Sequence, residues 1–177
     1  MVQPEFGMSY PWGKPEVTDM LLPLLPKDAT ILDIGAGCGT YREYLGHNFT
    51  WHAIESWPDT AEYLKTIYDQ VYEVDVRDFE YKQKYDLVIF GDVLEHLSVD
   101  DAKYELARAI QNATYVLVAV PYMLPQDAIH GNEAERHLQP DLTMDTMMDR
   151  YPQLYLIHLV IYNKHPIYGY YLNKEIK

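Results

Sequence analysis

Three glycines at alternate positions, Gly35, Gly37 and Gly39, follow directly after the apolar segment Thr30–Ile34. Glycine leaves room for a ligand to approach the backbone N–H groups, and it permits the unusual dihedral angles of a tight turn. Residues 41–45 can then begin a helix, whose N-terminal dipole favours a negatively charged group. This spacing predicts a cradle for a nucleotide-like ligand.

Polar side chains also stand at the ends of the later apolar runs. Glu55, Asp75 and Asp92 each follow such a run, and Glu95 and His96 come soon after the last of them. In an open parallel sheet, ligands bind outside the carboxyl ends of the strands. Glu55 lies about twenty residues beyond the glycines, where a carboxylate can accept hydrogen bonds from both hydroxyls of a ribose. We therefore expect one ligand site, built at the strand ends.

The elements that must position these residues alternate between strands and helices. Strands are predicted at residues 30–34, 50–54, 71–74, 85–90, 115–120, 154–162 and 167–172, and helices at residues 16–25, 41–45, 56–68, 99–112 and 142–150. The alternation implies an α/β fold, a doubly wound, mostly parallel seven-stranded sheet with helices on both faces. The last two strands flank only residues 163–166, too few for a parallel crossover, so we expect a C-terminal antiparallel β-hairpin.

The composition describes an acidic chain of 177 residues with a formal net charge of -13. This length predicts one domain, residues 1–177. The acidic balance argues against a nucleic-acid partner, which would need clustered Lys and Arg. No apolar run approaches the ~20 residues that span a bilayer, so we expect no membrane partner. The single cysteine, Cys38, fits a reducing compartment, and we expect a cytoplasmic protein. The sequence does not indicate the oligomeric state.

These motifs resemble those of class I S-adenosylmethionine-dependent methyltransferases, and the resemblance covers nearly the whole chain. Residues 32–39 are similar to the family's glycine-rich first motif, residues 52–55 to the strand that ends in the ribose-binding acid, and residues 85–97 to the fourth-strand segment. Asp75-Val76 is similar to the pair beside the adenine, and the closing hairpin resembles the family's antiparallel seventh strand. The resemblance implies S-adenosyl-L-methionine as cofactor. The cofactor-binding residues that it implies are Tyr10, Asp33, Gly35, Ala36, Gly37, Gly39, Glu55, Ser56, Asp75, Val76, Gly91 and Asp92.

A nicotinamide-dependent oxidoreductase is the competing interpretation of the glycine turn. The dinucleotide fingerprint is G-x-G-x-x-G, but Thr40 stands here in the place of the third glycine. The closing hairpin also favours a methyltransferase, because nucleotide-binding dehydrogenases usually lack it. A protein that binds S-adenosylmethionine without catalysis and regulates a partner is a further alternative.

Methyl transfer requires that the acceptor and the methyl group be held in line and that the acceptor become a nucleophile, often by losing a proton. His96 and His137 are the candidate catalytic bases, with Asp92 and Glu95 as alternatives. Each of these residues could instead cap a helix or form a pocket wall. We expect an oxygen or nitrogen acceptor on a small molecule or a glycan.

Two irregular segments are expected to shape the acceptor site. Residues 121–140 are the one long stretch without clear periodicity, and such loops are often functional. We interpret this stretch as a substrate loop, with His137 lining the pocket. The N-terminal arm, residues 1–15, carries Tyr10 and Trp12, which could fold over the cofactor as a lid.

The sequence Asp92-x-x-Glu95-His96 also raises the question of a metal ion. Some quinone-biosynthesis and small-RNA methyltransferases use an acid, a second acid and an adjacent histidine here to bind a divalent cation. In this chain Asp92 stands where those proteins typically carry glutamate, and the next histidine after His96 is His130. We therefore expect no metal at this segment.

Overall fold

The computed structural model describes residues 11–129 and 131–176. Its strands are β1 Thr30–Ile34, β2 Thr50–Ile54, β3 Gln70–Tyr72, β4 Tyr85–Gly91, β5 Ala113–Pro121, β6 Tyr155–Tyr162 and β7 His165–Leu172. Its α-helices are α1 Lys14–Leu21, α2 Thr40–Leu45, α3 Pro58–Leu64, α4 Val99–Asn112 and α5 Met144–Arg150. The strands form one sheet in the order β3-β2-β1-β4-β5-β7-β6, in which β7 is antiparallel to both of its neighbours and the other pairs are parallel. The predicted sheet and its closing hairpin are confirmed.

Alternating side chains of the central strands separate two apolar layers. On one face, Leu32 and Ile34 of β1 join a cluster that includes Leu106 of α4. On the other face, Ile31 joins a cluster that includes Val17 of α1 together with residues of α2 and α3. Because both faces are covered, β1 and β4 carry almost continuous apolar sequence.

The direction in which the sheet grows reverses at its centre. From β1 the chain passes outward through β2 to β3, and it then returns so that β4 lies on the other side of β1. Such a reversal opens a crevice at the carboxyl ends of the two central strands, which is the usual ligand position in doubly wound sheets. Ile34 pairs with Phe90, so the glycine turn after β1 and Gly91 at the end of β4 begin at the same level.

Two helices end earlier than predicted. Helix α3 stops at Leu64, because the Thr66 hydroxyl donates to the Tyr63 carbonyl and the Ile67 N–H bonds back to Leu64, which tightens the last turn. Helix α1 stops at Leu21 and continues only as a 3-10 turn over Leu22–Leu24. Within the part of the chain that the structure describes, no helix is long and apolar enough to cross a membrane.

The segment after β5 has little regular structure, as predicted. Its described residues contain a 3-10 turn at Glu133–Glu135 and an isolated bridge between Ile129 and Asn132. The N–H groups of Leu138 and Gln139 both bond to the Glu95 carbonyl, at 2.8 and 3.0 Å. These bonds anchor the far end of the loop to the segment that follows β4.

The turn between β6 and β7 contains two residues rather than the four predicted. Tyr162 pairs directly with His165, so Asn163 and Lys164 alone make the turn. Both have positive φ angles, 48° and 67°, as a type I′ hairpin turn requires. Asparagine tolerates this conformation, but lysine pays a steric cost for it.

Replacing Lys164 with glycine should therefore stabilise the protein. Glycine removes the steric cost of positive φ but loses more chain entropy on folding, which leaves a net gain of about 0.5–1 kcal/mol. The free energy of unfolding in urea is the measurement. Lys103→Gly, on the exposed side of α4, is the matched control and should destabilise by about 1 kcal/mol. A Lys164→Gly variant that is no more stable than the parent would contradict the turn assignment.

Candidate functional site

A cavity of about 680 Å³ lies at the carboxyl ends of the central strands. Its size falls within the range of roughly 300–1,000 Å³ that is usual for small-molecule sites. The residues predicted from the sequence that line it are Gly35, Gly37, Glu55, Ser56, Asp75, Val76, Gly91, Asp92, Glu95, His96 and His137. The structure thus brings residues from four strand ends and from the loop of residues 121–140 into one site. Tyr10 lies outside the described residues.

The glycine turn after β1 depends on glycine at each of its three positions. Gly35, Gly37 and Gly39 have φ angles of 63°, 53° and 76°, a region that other residues rarely enter. A Cβ on Gly35 would lie 2.7 Å from Cγ2 of Val93. The turn therefore keeps its backbone bare where it meets the segment after β4.

The carboxylate of Glu55 is fixed between this turn and the start of α3. Its Oε2 accepts from the Gly37 N–H at 3.3 Å, and its Oε1 accepts from the Trp57 N–H at 2.9 Å. Burial raises the pKa of Glu55, and these backbone N–H groups oppose that effect. The two hydrogen bonds therefore fix the orientation of the Glu55 carboxylate, a hydrogen-bond acceptor at the end of β2 on the wall of the cavity.

Three of the predicted cofactor-binding residues do not reach the cavity wall: Asp33, Ala36 and Gly39. Asp33 shares the face of β1 that lies beneath α1 and α3, where the Tyr68 hydroxyl donates to its Oδ2 at 2.7 Å. Burial raises the pKa of Asp33 to about 7. Ala36 packs into the apolar cluster of the same face, and Gly39 directly precedes α2 as its N-cap. These three residues therefore contribute to the packing and geometry around the turn and do not form part of the cavity wall.

Asp75 and Val76 lie at the cavity edge beyond β3. The Arg77 guanidinium donates to both carboxylate oxygens of Asp75, at 2.8 and 2.7 Å, and holds the pKa of that carboxyl below its usual value. A carboxylate has about four lone-pair positions, so Asp75 can still accept from a ligand. Arg77 also lines the cavity, but its charge is committed to Asp75.

Asp92 is held by two side chains that sequence analysis missed. It has a positive φ of 59°, its Oδ1 accepts from the Tyr168 hydroxyl, and its Oδ2 lies 3.5 Å from Nζ of Lys14. Lys14 is fully buried and also stacks over the Tyr41 ring, 4.7 Å from the centroid. Because both of its oxygens are engaged, Asp92 is a weaker candidate for a catalytic base than the histidines. A lysine in a short amphipathic helix gives no sequence signal that it will be buried.

Glu95, His96 and His137 form a compact cluster in the cavity. The two imidazole rings meet edge to face with centroids 4.7 Å apart, and one ligand atom from each residue lies within 4.8 Å of the others. Glu95 is 1% exposed, and neither carboxylate oxygen has a hydrogen-bond partner among the described residues. The loop of residues 121–140 supplies His137, which is 41 positions after His96 in the sequence. Sequence analysis looked for a second histidine close to His96 and therefore did not predict this cluster.

Hydrogen bonds to the backbone set the tautomers of both histidines. Nδ1 of His96 lies 3.3 Å from the Arg136 carbonyl, and Nδ1 of His137 lies 2.6 Å from the Leu124 carbonyl. A carbonyl only accepts, so each Nδ1 carries the proton and each Nε2 keeps a lone pair in the neutral ring. Burial and the neighbouring His137 lower the pKa of His96 to about 4, while burial and Asp92 raise that of Glu95 well above its usual value. These shifts favour a neutral imidazole at His96 and a protonated carboxyl at Glu95. The cluster therefore keeps two Nε2 lone pairs that can accept a hydrogen bond or, alternatively, bind a cation.

Trp57 is a further residue of the cavity that sequence analysis did not single out. It lines the cavity next to Glu55, and its indole Nε1 is buried without a hydrogen-bond partner among the described residues. An indole N–H is a donor only, so this group bears the cost of a buried donor without an acceptor. The sequence signal that could have identified Trp57 is its position two residues after Glu55, the acid that follows β2.

The fold is that of class I S-adenosylmethionine-dependent methyltransferases, as comparison with solved structures shows. A S-adenosylmethionine-dependent methyltransferase from Clostridium acetobutylicum matches with a TM-score of 0.67 and 12% identity over 91% of this chain and 89% of the other. The N-methyltransferase NodS from Bradyrhizobium japonicum matches with 0.58 and 15% over 90% and 96%. Magnesium protoporphyrin IX methyltransferase from Synechocystis, with bound S-adenosylmethionine, matches with 0.59 and 12% over 90% and 79%. No protein-family model and no curated protein sequence matches the chain.

The buried Asp33 carboxyl should make stability depend on pH. Its pKa rises from 3.8 to about 7 on folding, so the folded state keeps a proton that the unfolded state loses as the pH rises above 4. The free energy of unfolding therefore decreases by about 4 kcal/mol as the pH rises from 4 to 7, and it does not recover above pH 7. Asp33→Asn lacks this proton, and it should match the parent near pH 4 and exceed its stability at pH 8.

Urea unfolding at pH 4.5, 6 and 8 measures this difference. Asp59→Asn, an exposed position in the first turn of α3, is the control and should leave the pH dependence unchanged. If the curves of parent and Asp33→Asn ran parallel across this range, Asp33 would be ionised in the folded protein and the assignment would be wrong.

Proposed function

We propose that this chain is a methyltransferase that uses S-adenosyl-L-methionine to methylate an oxygen or nitrogen atom of a small-molecule or glycan acceptor. The observation that carries the proposal is the division of one cavity into two chemical halves. The first half contains the glycine turn, Glu55 and Asp75, and the second contains the cluster of Glu95, His96 and His137.

The first half suits a nucleoside. Glu55, held at the end of β2, would accept hydrogen bonds from both ribose hydroxyls. Asp75 would accept from the exocyclic amine of the adenine, with Val76 packed against the ring. Trp12 also lines the cavity, and the Tyr170 hydroxyl donates to its backbone carbonyl, which supports a lid role for the end of the N-terminal arm. An aromatic face is also favourable to a sulfonium cation.

The second half suits the activation of an acceptor. Of the four candidate bases, Asp92 is engaged by Lys14 and Tyr168, Glu95 is closed off from solvent, and the low pKa of His96 makes it a weak base. His137, whose Nδ1 is held by a carbonyl of the substrate loop, is the remaining candidate. It would accept the acceptor's proton at Nε2 as the methyl group is transferred.

The composition favours the same class of substrate. The net charge of -13 disfavours an acceptor with a phosphate backbone. We propose one catalytic domain in a reducing, cytoplasmic setting, with no nucleic-acid or membrane partner.

Removal of the Glu55 carboxylate should weaken cofactor binding. Glu55→Ala is expected to raise the Kd for S-adenosylhomocysteine at least about tenfold, since it removes a charged hydrogen-bond acceptor. Calorimetry with S-adenosylmethionine, S-adenosylhomocysteine and NAD is the measurement. Glu62→Ala, on the exposed side of α3, is the matched control and should bind as the parent does. Binding of NAD without either sulfur compound would reject the proposed function.

Replacement of the candidate base should slow the chemical step. With an acceptor found by a screen for methyl transfer, His137→Asn should lower kcat roughly 100-fold or more while the Kd for S-adenosylhomocysteine stays unchanged. His165→Asn, exposed at the start of β7, should keep full activity. Unimpaired turnover by His137→Asn would eliminate His137 as the base.

The same activity assay, repeated with EDTA, distinguishes a cluster that accepts a proton from a cluster that binds a metal ion. Two imidazole nitrogens and a carboxylate are also a ligand set for a divalent transition metal. Activity that is lost in EDTA and restored by added Mn²⁺ or Zn²⁺ would assign the cluster to a metal ion. A screen in which S-adenosylmethionine binds but no compound is methylated would favour the regulatory alternative.

A further inference from the structure

The mouth of the cavity is rimmed by exposed apolar side chains. Trp12 is 48% exposed, Leu124 42%, Ile129 38% and Tyr162 66%, and all four line the cavity. They come from three separate parts of the chain: the residues before α1, the substrate loop and the end of β6. Exposed apolar groups gathered around a concave site are a mark of ligand binding, because a ligand that covers them removes them from water.

The charges of the cavity exclude another class of ligand. Its described acidic side chains are Glu55, Asp75, Asp92, Glu95 and Glu135. Among the described residues that line the cavity, Arg77 is the one Lys or Arg, and its guanidinium is bound by Asp75. An anionic acceptor would therefore be desolvated next to several carboxylates without a cation to pair with it.

Hydrogen-bonding capacity defines the head group that would fit at the floor. At this floor, His96 and His137 keep lone pairs on Nε2 because each Nδ1 donates to a carbonyl. A head group that donates hydrogen bonds complements such a floor, whereas one that only accepts would leave it unsatisfied.

We propose that the acceptor is an amphipathic molecule with an apolar body and a hydroxyl or amino head that is not anionic. The body rests against the rim of Trp12, Leu124, Ile129 and Tyr162, and the head reaches Nε2 of His96 and His137. This inference rests on the proposed function and narrows the class of acceptor. It disfavours glycans, and it also disfavours any small molecule that bears a carboxylate or a phosphate.

The transfer step balances with this acceptor. The lone pair of the acceptor oxygen or nitrogen forms a bond to the methyl carbon, and the carbon–sulfur bond breaks with its electron pair remaining on sulfur. The sulfonium becomes the neutral thioether of S-adenosylhomocysteine. The proton of the acceptor passes to Nε2 of His137 and from there to solvent.

Four probes with contrasting head groups and bodies test the acceptor class. The parent protein, saturated with S-adenosylhomocysteine, is titrated with 4-butylphenol, 4-butylbenzylamine, 4-butylbenzoate and methyl glucoside by calorimetry. The phenol and the amine should bind, and the benzoate should bind at least about tenfold more weakly. Methyl glucoside should show no binding. Benzoate binding as tight as that of the phenol, or a preference for the glucoside, would overturn the proposal.

A matched pair of tyrosines on β6 tests the rim. Tyr162 lines the cavity, whereas Tyr155 is 49% exposed and does not. Tyr162→Ala should weaken 4-butylphenol about fivefold or more while binding S-adenosylhomocysteine normally. Tyr155→Ala should bind both ligands as the parent does. Equal 4-butylphenol affinities for the two variants would reject the rim as the acceptor site.

Failure of this inference is distinguishable from failure of the proposed function. The Kd for S-adenosylhomocysteine is measured first, and the probes are also titrated into protein without it. Absence of cofactor binding rejects the proposed function. Normal cofactor binding together with no binding of either the phenol or the amine rejects the acceptor class alone.

Discussion

The parallel pairing of β1 with β4 is the constraint on which the rest of the site depends. Both strands are buried on both faces, and their register aligns Ile34 with Phe90. The glycine turn and the segment that contains Asp92 therefore leave the sheet side by side. A shift of one residue in this register would exchange Val88 and Phe90 with Leu87 and Ile89, which pack into two different clusters on opposite faces of the sheet. The apolar core thus fixes the relative position of the two halves of the cavity.

Concentrating carboxylates at one end of a sheet has an electrostatic cost, and the buried Lys14 offsets part of it. Burial raises the pKa of Asp33 and Glu95, and the positive charge of Lys14 opposes this in both cases. The same ammonium group lies 3.5 Å from Asp92. A buried charge is tolerated only with partners, so helix α1 is attached to the site by the carboxylates themselves. This attachment also positions Trp12, just before α1, at the cavity mouth.

The sequence predicted those features that arise from local pattern. β1 and β2 have the predicted bounds, because apolar runs that end in Gly or an acid identify buried strands, and Glu55 and Asp75 follow from them. Contacts between residues far apart in the sequence could not be predicted from these local patterns. The meeting of His137 with His96, the burial of Lys14 and the bond from Tyr68 to Asp33 each join elements whose approach only the folded sheet defines. Even local predictions failed where a side chain competed with the backbone, as Thr66 does at the end of α3.

The two halves of the cavity differ in how they are built, and this difference explains what the sequence could reveal. The half proposed for the nucleoside is made from the ends of β1 and β2 and the segment after β3, whose backbone is fixed by the sheet. The half proposed for the acceptor joins the segment after β4 to the loop of residues 121–140, and its apolar rim adds Trp12 and the end of β6. Residues of the first kind must obey the geometry of the fold, so their types are recognisable. The rim and the loop residues are not constrained by the sheet in this way, so the chemistry of the proposed acceptor has to be inferred from the apolar rim and from the Nε2 lone pairs of His96 and His137.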